Sequence, residues 1–408
     1  MREWRSGEIR ILESRKPCCV ELPEMFRSAE AKKARSFHEK IAGYEKTPLV
    51  SLAGLAESLH VKGIYVKDES RRFCLNSFKG LGGSYAMFRI LCERLSLEPV
   101  RASFLDLIEG DFRDTLEKIE FVTCTDGNHG KGVAWAAGLF GCRAHVFMPF
   151  GSQEVRAEAI RKAGPAEVEI TGLSYDDTVR HAKAMSEKNG WILIQDTAWE
   201  GYEKIPAWII QGYLTLAAEA ADDLDAKGIL PTHVFLQAGV GAMAGGILGF
   251  LAERYRKSKS TAVIVEPCVA DCIYRSAKAG DGKTRSVEGA SVTIMAGLNC
   301  GTPCELTWPV LRDYADFYIS IPDSVAADGM RSYAAGLNGD RKIVSGGSGA
   351  ATLGALMRIM TDGQLSETRS AMGLNADSIV FLINTEGDTD PANYDSIVLG
   401  KDPSGQCR

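Results

Sequence analysis

The sequence predicts an α/β fold of two domains, each a twisted, mostly parallel sheet covered by helices, with a ligand held between them. Three observations predict it. Short β-branched runs alternate with longer helical patterns, which implies crossover units and sheets covered on both faces. These units outnumber the strands of one sheet of ordinary width. The chain has 408 residues, 45% of them hydrophobic and 25% charged, a length that favours two or three domains over one.

The elements follow in order. GIYVKDE (63–69) reads as a strand. NSFKGLGGSYA (76–86) opens a helix, with the capping types Asn76 and Ser77 ahead of Lys79. Residues 96–118 read as a helical excursion between core elements. IEFVTCT (119–125) is a strand that runs through a glycine-containing loop into the helical GKGVAWAAGLFG. CRAHVFMP (142–149), AEVEIT (166–171) and WILIQDT (191–197) are further strands, with a helix over SYDDTVRHAKAMSEKNG. THVFLQA (232–238) leads through a glycine loop into the helical GGILGFLAERYR. TAVIVEP (261–267) and SIVFLINTEG (378–387) complete the strands. The expected division is a large domain from 1–72 and 191–408, and a small one from 73–190.

A net charge of -6 gives no basic footprint for nucleic acid. No window approaches the roughly 18 uncharged apolar residues of a membrane span. MREWRSGEIRILESRKPCC is charged throughout and lacks the apolar segment of a secretory signal. Eleven cysteines, an odd count, point to reduced thiols in a cytoplasmic protein. The C-x3-C pairs Cys268/Cys272 and Cys300/Cys304 would each share one helical face. Buried apolar thiols are their ordinary reading, a metal site or local disulfide the alternative.

Three segments carry chemistry. LQAGVGAMAGG (236–246) follows a strand and opens a helix, so its loop amides and helix N-terminus suit a phosphate. It also fits the relaxed dinucleotide fingerprint, with Glu266 ending the next strand near the place of a ribose-binding carboxylate. Pro267 weakens that reading. Close helix–sheet packing alone would also explain the glycines. CTDGNHGKGVAWAAG (124–138) is a second strand–loop–helix junction, suited to a carboxylate. Lys79 stands among apolar residues and glycines. Burial and a helix N-terminus would hold its amine neutral, although a lysine at a helix start is ordinarily solvated. Amine, phosphate cradle and carboxylate cradle together are what pyridoxal phosphate and an amino acid require, the aldehyde joining the lysine as a Schiff base.

SFKGLGGSYA, DGNHGKGVAWAA, AGVGAMAGG and VSGGSGAA resemble the fold type II pyridoxal-phosphate enzymes, the threonine dehydratase and cysteine synthase group. TDGNHG, QDTAWEGYEKIPAWIIQGY (195–213) and TIMAGLNCGTPCELTWPVL (293–311) resemble its diaminopropionate ammonia-lyases, from about Thr47 to Asp390. The resemblance implies a cofactor in the cleft between domains and a homodimer acting on a small amino acid. It implies that Lys79 holds the cofactor and Asn128 bonds the pyridine 3′-oxygen. The amides of Gly239, Val240, Gly241, Ala242 and Met243 would hold the phosphate. Thr385, in LINTEGD, would place a neutral hydroxyl beside the pyridine nitrogen and favour β-elimination over transamination. A strand-end threonine bonding its own turn is the plainer reading.

Most of the related enzymes carry a small hydroxyl residue where this chain has Asp126. A carboxylate there repels a substrate carboxylate, so it must face a second ammonium or a proton to be removed. Asp196, in QDTAWEGY, is a second such group. Helix capping is the ordinary use of both. Gly127, Asn128 and His129 line the expected carboxylate loop, with His129 orienting it. The implied reaction is elimination of D- and L-2,3-diaminopropionate to pyruvate and two ammonia, with Lys79 and Asp126 as bases. A serine or threonine dehydratase and a nicotinamide dehydrogenase are the alternatives.

Overall fold

A computed structural model describes residues 1–14, 21–99, 102–287 and 292–400. The chain forms two compact units. The first is Met1–Pro23, Thr47–Arg71 and Glu219–Arg408; the second is Glu24–Lys46 and Arg72–Ala218. Residues 24–46 and 191–218 thus group with the second unit, where the sequence boundaries put them in the large domain.

In the first unit, the described residues form an eight-stranded sheet. Its order is Glu3–Ser6, Ile9–Glu13, Phe317–Ile321, Thr261–Pro267, His233–Gln237, Ile379–Asn384, Gly63–Asp68, Leu49–Ser51. The five strands from Phe317–Ile321 to Gly63–Asp68 are parallel, and the outer strands pair antiparallel. His233–Gln237 and Phe317–Ile321 are buried at every position, as strands covered on both faces must be. Pro267 ends its strand in register with Ile321 and does not break it. Met295, Leu298, Ala350, Leu353 and Leu382 belong to the core packed on this sheet.

The second unit holds a parallel four-stranded sheet in the order Ala166–Ile170, Arg143–Met148, Glu120–Cys124, Ile192–Leu193. The predicted strand 191–197 is therefore short. Beyond Leu193 the backbone leaves the ladder, because the Gln195 amide donates to Tyr202 Oη at 2.9 Å and the Ile194 carbonyl accepts from His129. The described residues of 96–118 supply two short helices, Phe104–Glu109 and Arg113–Leu116, the first opened by a Ser103–Asp106 capping box.

Both sheets share one pattern. Three successive parallel strands step to one side and the fourth pairs on the other side of the first. The order reverses between Glu120–Cys124 and Ile192–Leu193 in one sheet, and between His233–Gln237 and Ile379–Asn384 in the other. Open α/β sheets bind ligands at the carboxyl ends of strands where the order reverses. Asp126 and Asp196 follow the first pair of strands; Gly239 and Thr385 follow the second.

Candidate active site

In the second unit, Glu120–Cys124 runs through Thr125–Gly127 into the helix Asn128–Phe140. Thr125 Oγ1 accepts the amides of Gly127 at 2.9 Å and Gly130 at 3.0 Å, pinning the loop. Gly127 is the N-cap and no side chain caps the helix, so Asp126 is not there as a cap. His129 Nε2 lies 2.9 Å from the Ile194 carbonyl. A carbonyl only accepts, so Nε2 carries the proton. Burial lowers the pKa of this imidazole, leaving it neutral, with Nδ1 facing Asp196 Oδ2 at 3.7 Å. His129 ties the start of the asparagine-loop helix to the neighbouring strand end.

Lys79 begins the helix Lys79–Arg94. This helix meets Asn128–Phe140 backbone to backbone: a Cβ on Gly132 would stand 2.9 Å from the Lys79 carbonyl carbon. Gly132 of HGKG thus lets the lysine helix lie against the asparagine-loop helix, while Gly130 packs on Thr125 and Val146. Phe78, not Asn76 or Ser77, is the N-cap, and no side chain caps this end. Lys79 Nζ lies 5.3 Å from the Phe78 ring and 5.7 Å from the Tyr213 ring, the apolar setting the sequence implied. It also bonds Asp196 Oδ2, which sequence reasoning did not foresee. A carboxylate partner favours the ammonium, not the neutral amine expected from burial alone.

The two aspartates are driven apart. Burial would raise Asp196, but the Lys79 charge, His129 and the Lys79 hydrogen bond outweigh it and hold its pKa at about 2. Burial pushes Asp126 up to about 7, with Asp196 adding to the rise and the charges of Arg156 and Lys79 opposing it. One carboxylate stays ionised. The other titrates where a general base is effective. Arg156 Nη1 donates to the Asp126 carbonyl at 3.2 Å. Thr125 and Arg156 were missed in the sequence. A threonine two residues before a glycine amide is a turn signal that could have marked Thr125.

In the first unit, Gly241 caps the helix Ala242–Arg254 and no side chain does. Its first-turn amides are left as donors for an anion. Gly241 has φ +87°, and a Cβ there would meet Leu311 Cδ1 at 2.7 Å. Backbone conformation and packing, not only approach to an anion, demand this glycine. Glu266 is fully buried, and its two oxygens accept the Ile273 and Tyr274 amides at 2.7 Å each. It caps a helix and is committed there, so the ribose clamp of a dinucleotide site is lost. Thr385, 4% exposed, takes a hydrogen bond from Gln237 Nε2 at 3.2 Å. Cys268 precedes the helix Cys272–Ala279, and Cys300 and Cys304 lie in irregular chain, so neither C-x3-C pair shares a helical face. Among the described residues no group of three or more His, Cys, Asp or Glu could hold a metal ion.

Comparison with known proteins agrees with this chemistry. A family model described as "Pyridoxal-phosphate dependent enzyme" matches residues 41–383. Diaminopropionate ammonia-lyase of Escherichia coli K12 is 49% identical over 379 residues, 93% of each chain. The crystal structure of the holo form of that enzyme from Escherichia coli superposes with a TM-score of 0.89 at 48% identity, covering 96% of both chains. The Escherichia coli enzyme in complex with D-serine matches with the same TM-score and coverage at 47% identity.

Proposed function

The chain belongs to the pyridoxal-phosphate dependent enzymes, and we propose that it is a carbon–nitrogen lyase converting D- and L-2,3-diaminopropionate, with one water, to pyruvate and two ammonia. The observation that carries the substrate is the pair of carboxylates, Asp196 bonded to the Lys79 amine and Asp126 on the asparagine loop, both feeling the charge of Lys79 and Asp126 that of Asp196 as well. Serine and threonine bear one ammonium and need no such pair. The relatives at 47–49% identity act, by name, on diaminopropionate.

The residues present fit the cofactor: an amine in an aromatic setting, an uncapped helix N-terminus for a phosphate, and a buried neutral hydroxyl at Thr385. Pyridoxal phosphate, joined to Lys79, supplies the electron sink for the charge left when a Cα proton is removed. The amides of Gly239, Val240, Gly241, Ala242 and Met243 would hold its phosphate, Asn128 its 3′-oxygen and Thr385 its ring nitrogen. The start of the helix Asn128–Phe140, with Gly127, Asn128 and His129, takes the substrate carboxylate. Asp196, ionised throughout the working range, receives a substrate ammonium. Lys79 removes the Cα proton of one enantiomer. Asp126, on a separate loop, removes that of the other. The family resemblance also supports a cytoplasmic homodimer.

The test is product stoichiometry. Purified holoenzyme should release two ammonia per pyruvate from diaminopropionate, by coupled assay of both products. A ratio of one, or turnover confined to serine and threonine, would favour the dehydratase reading.

A further inference from the structure

Gln237 ends one of the two strands at the reversal point of the first unit's sheet, and Thr385 follows the other. Gln237 is 1% exposed. Its Nε2 stands 2.8 Å from the Ile383 carbonyl, 3.1 Å from that of Ser348, 3.5 Å from that of Gly349 and 3.2 Å from Thr385 Oγ1. Its Oε1 is buried with no donor among the described residues. The orientation of the amide is therefore decided. Turning it over would press Oε1 against three carbonyl oxygens, which only accept.

This fixes the state of the fourth neighbour. An amide nitrogen has two protons, which the two nearer carbonyls can take, and it cannot accept, so Thr385 Oγ1 finds no acceptor on that side. Its own proton must point away from Gln237. The surroundings hold the arrangement in place. The Ser348 amide donates to Glu386 Oε1 at 3.1 Å, and Ser348 Oγ accepts the Gly297 amide at 3.0 Å. The Ser348 carbonyl that meets Gln237 is thus held from both ends of its residue.

We propose that Gln237 is a positioning residue that turns the proton of the Thr385 hydroxyl away from itself and toward the pyridine nitrogen. This rests on the reading that Thr385 faces that nitrogen. A hydroxyl free to rotate could accept from a protonated ring as readily as donate to a neutral one. With Gln237 offering it no acceptor, its proton is turned toward the ring, which favours the unprotonated nitrogen. A neutral ring nitrogen is a weaker electron sink, which suits elimination and suppresses transamination.

The experiment is 15N NMR of the holoenzyme loaded with ring-labelled pyridoxal phosphate, in wild type, Thr385→Val and Gln237→Met. The wild-type resonance should sit at the position of an unprotonated, hydrogen-bonded pyridine nitrogen and stay there from pH 6 to 9. Thr385→Val should move it downfield to the free-nitrogen position. Gln237→Met, which keeps the length and removes the donor, should move it the same way. A shift in Thr385→Val with none in Gln237→Met would overturn the role of Gln237 and leave Thr385 standing. No shift in either would overturn the Thr385 reading and the proposal with it. If Gln237→Met does not fold, the wild-type titration still decides: a protonated ring nitrogen anywhere in that range refutes a hydroxyl turned to donate.

Discussion

At Asp126, a carboxyl with a pKa of about 7 sits near an ionised neighbour held at about 2, and that contrast has a consequence for stability. The unfolded value is about 3.9, so the folded chain binds this proton more tightly than the unfolded one. The stabilisation from the protonated form is fully present below about pH 4 and is lost as pH rises through about 7. Above that, the wild type carries a charged carboxylate that burial penalises. Asp126→Asn removes the penalty. The cofactor-free variant should gain about 1–3 kcal/mol over wild type at pH 8, allowing for partial solvent screening, and much less at pH 5. Urea unfolding at the two pH values measures this. An equal effect at both would mean that burial does not raise Asp126. The sequence singled out Lys79, Asp126 and Asp196 as separate candidates. It could not show the Lys79–Asp196 pair, because 117 residues separate the two and only the fold brings them together.

Short junctions between strand and helix carry the site. The loop Thr125–Gly127 is held by one hydroxyl that accepts two amides. Thr125→Val keeps the shape and orphans both donors. It should cost about 1–2 kcal/mol of stability and lower kcat/KM by loosening the loop that carries Asp126 and Asn128. Thr125→Ser should restore most of both. Thermal melting and steady-state rates on the two variants check this, and Thr125→Val with wild-type melting and rates would refute it. At this scale much of the fold was legible. THVFLQA and TAVIVEP are strands at His233–Gln237 and Thr261–Pro267, because buried parallel strands need continuous β-branched or aromatic runs. Glu3–Ser6 and Ile9–Glu13 were not legible. An edge hairpin half exposed to solvent carries charges along its length, and such charge also guards an edge against pairing with other chains. Phe317–Ile321, as long as His233–Gln237, was missed; Asp316 precedes it and Pro322 and Asp323 follow it.

In the molecule as a whole, two sheets repeat one strand order, and Asp126 and Asp196 in one unit and Gln237 and Thr385 in the other stand at its reversal point. Sequence periodicity gave alternating strands and helices. It gave no pairing order, so the common origin of the Asp126/Asp196 and Gln237/Thr385 placements became visible only with the sheets. The central claim is that one molecule processes both enantiomers of diaminopropionate with two bases, Lys79 for one and Asp126 for the other. The Cα protons of the enantiomers point to opposite sides, and one fixed base cannot easily reach both. The direct test is kcat/KM on pure D- and pure L-diaminopropionate for wild type and Asp126→Asn. The account predicts a loss on the D isomer of about a hundred- to ten-thousand-fold, the usual range for removing a general base, and a far smaller loss on the L isomer. Equal losses on both isomers would contradict it.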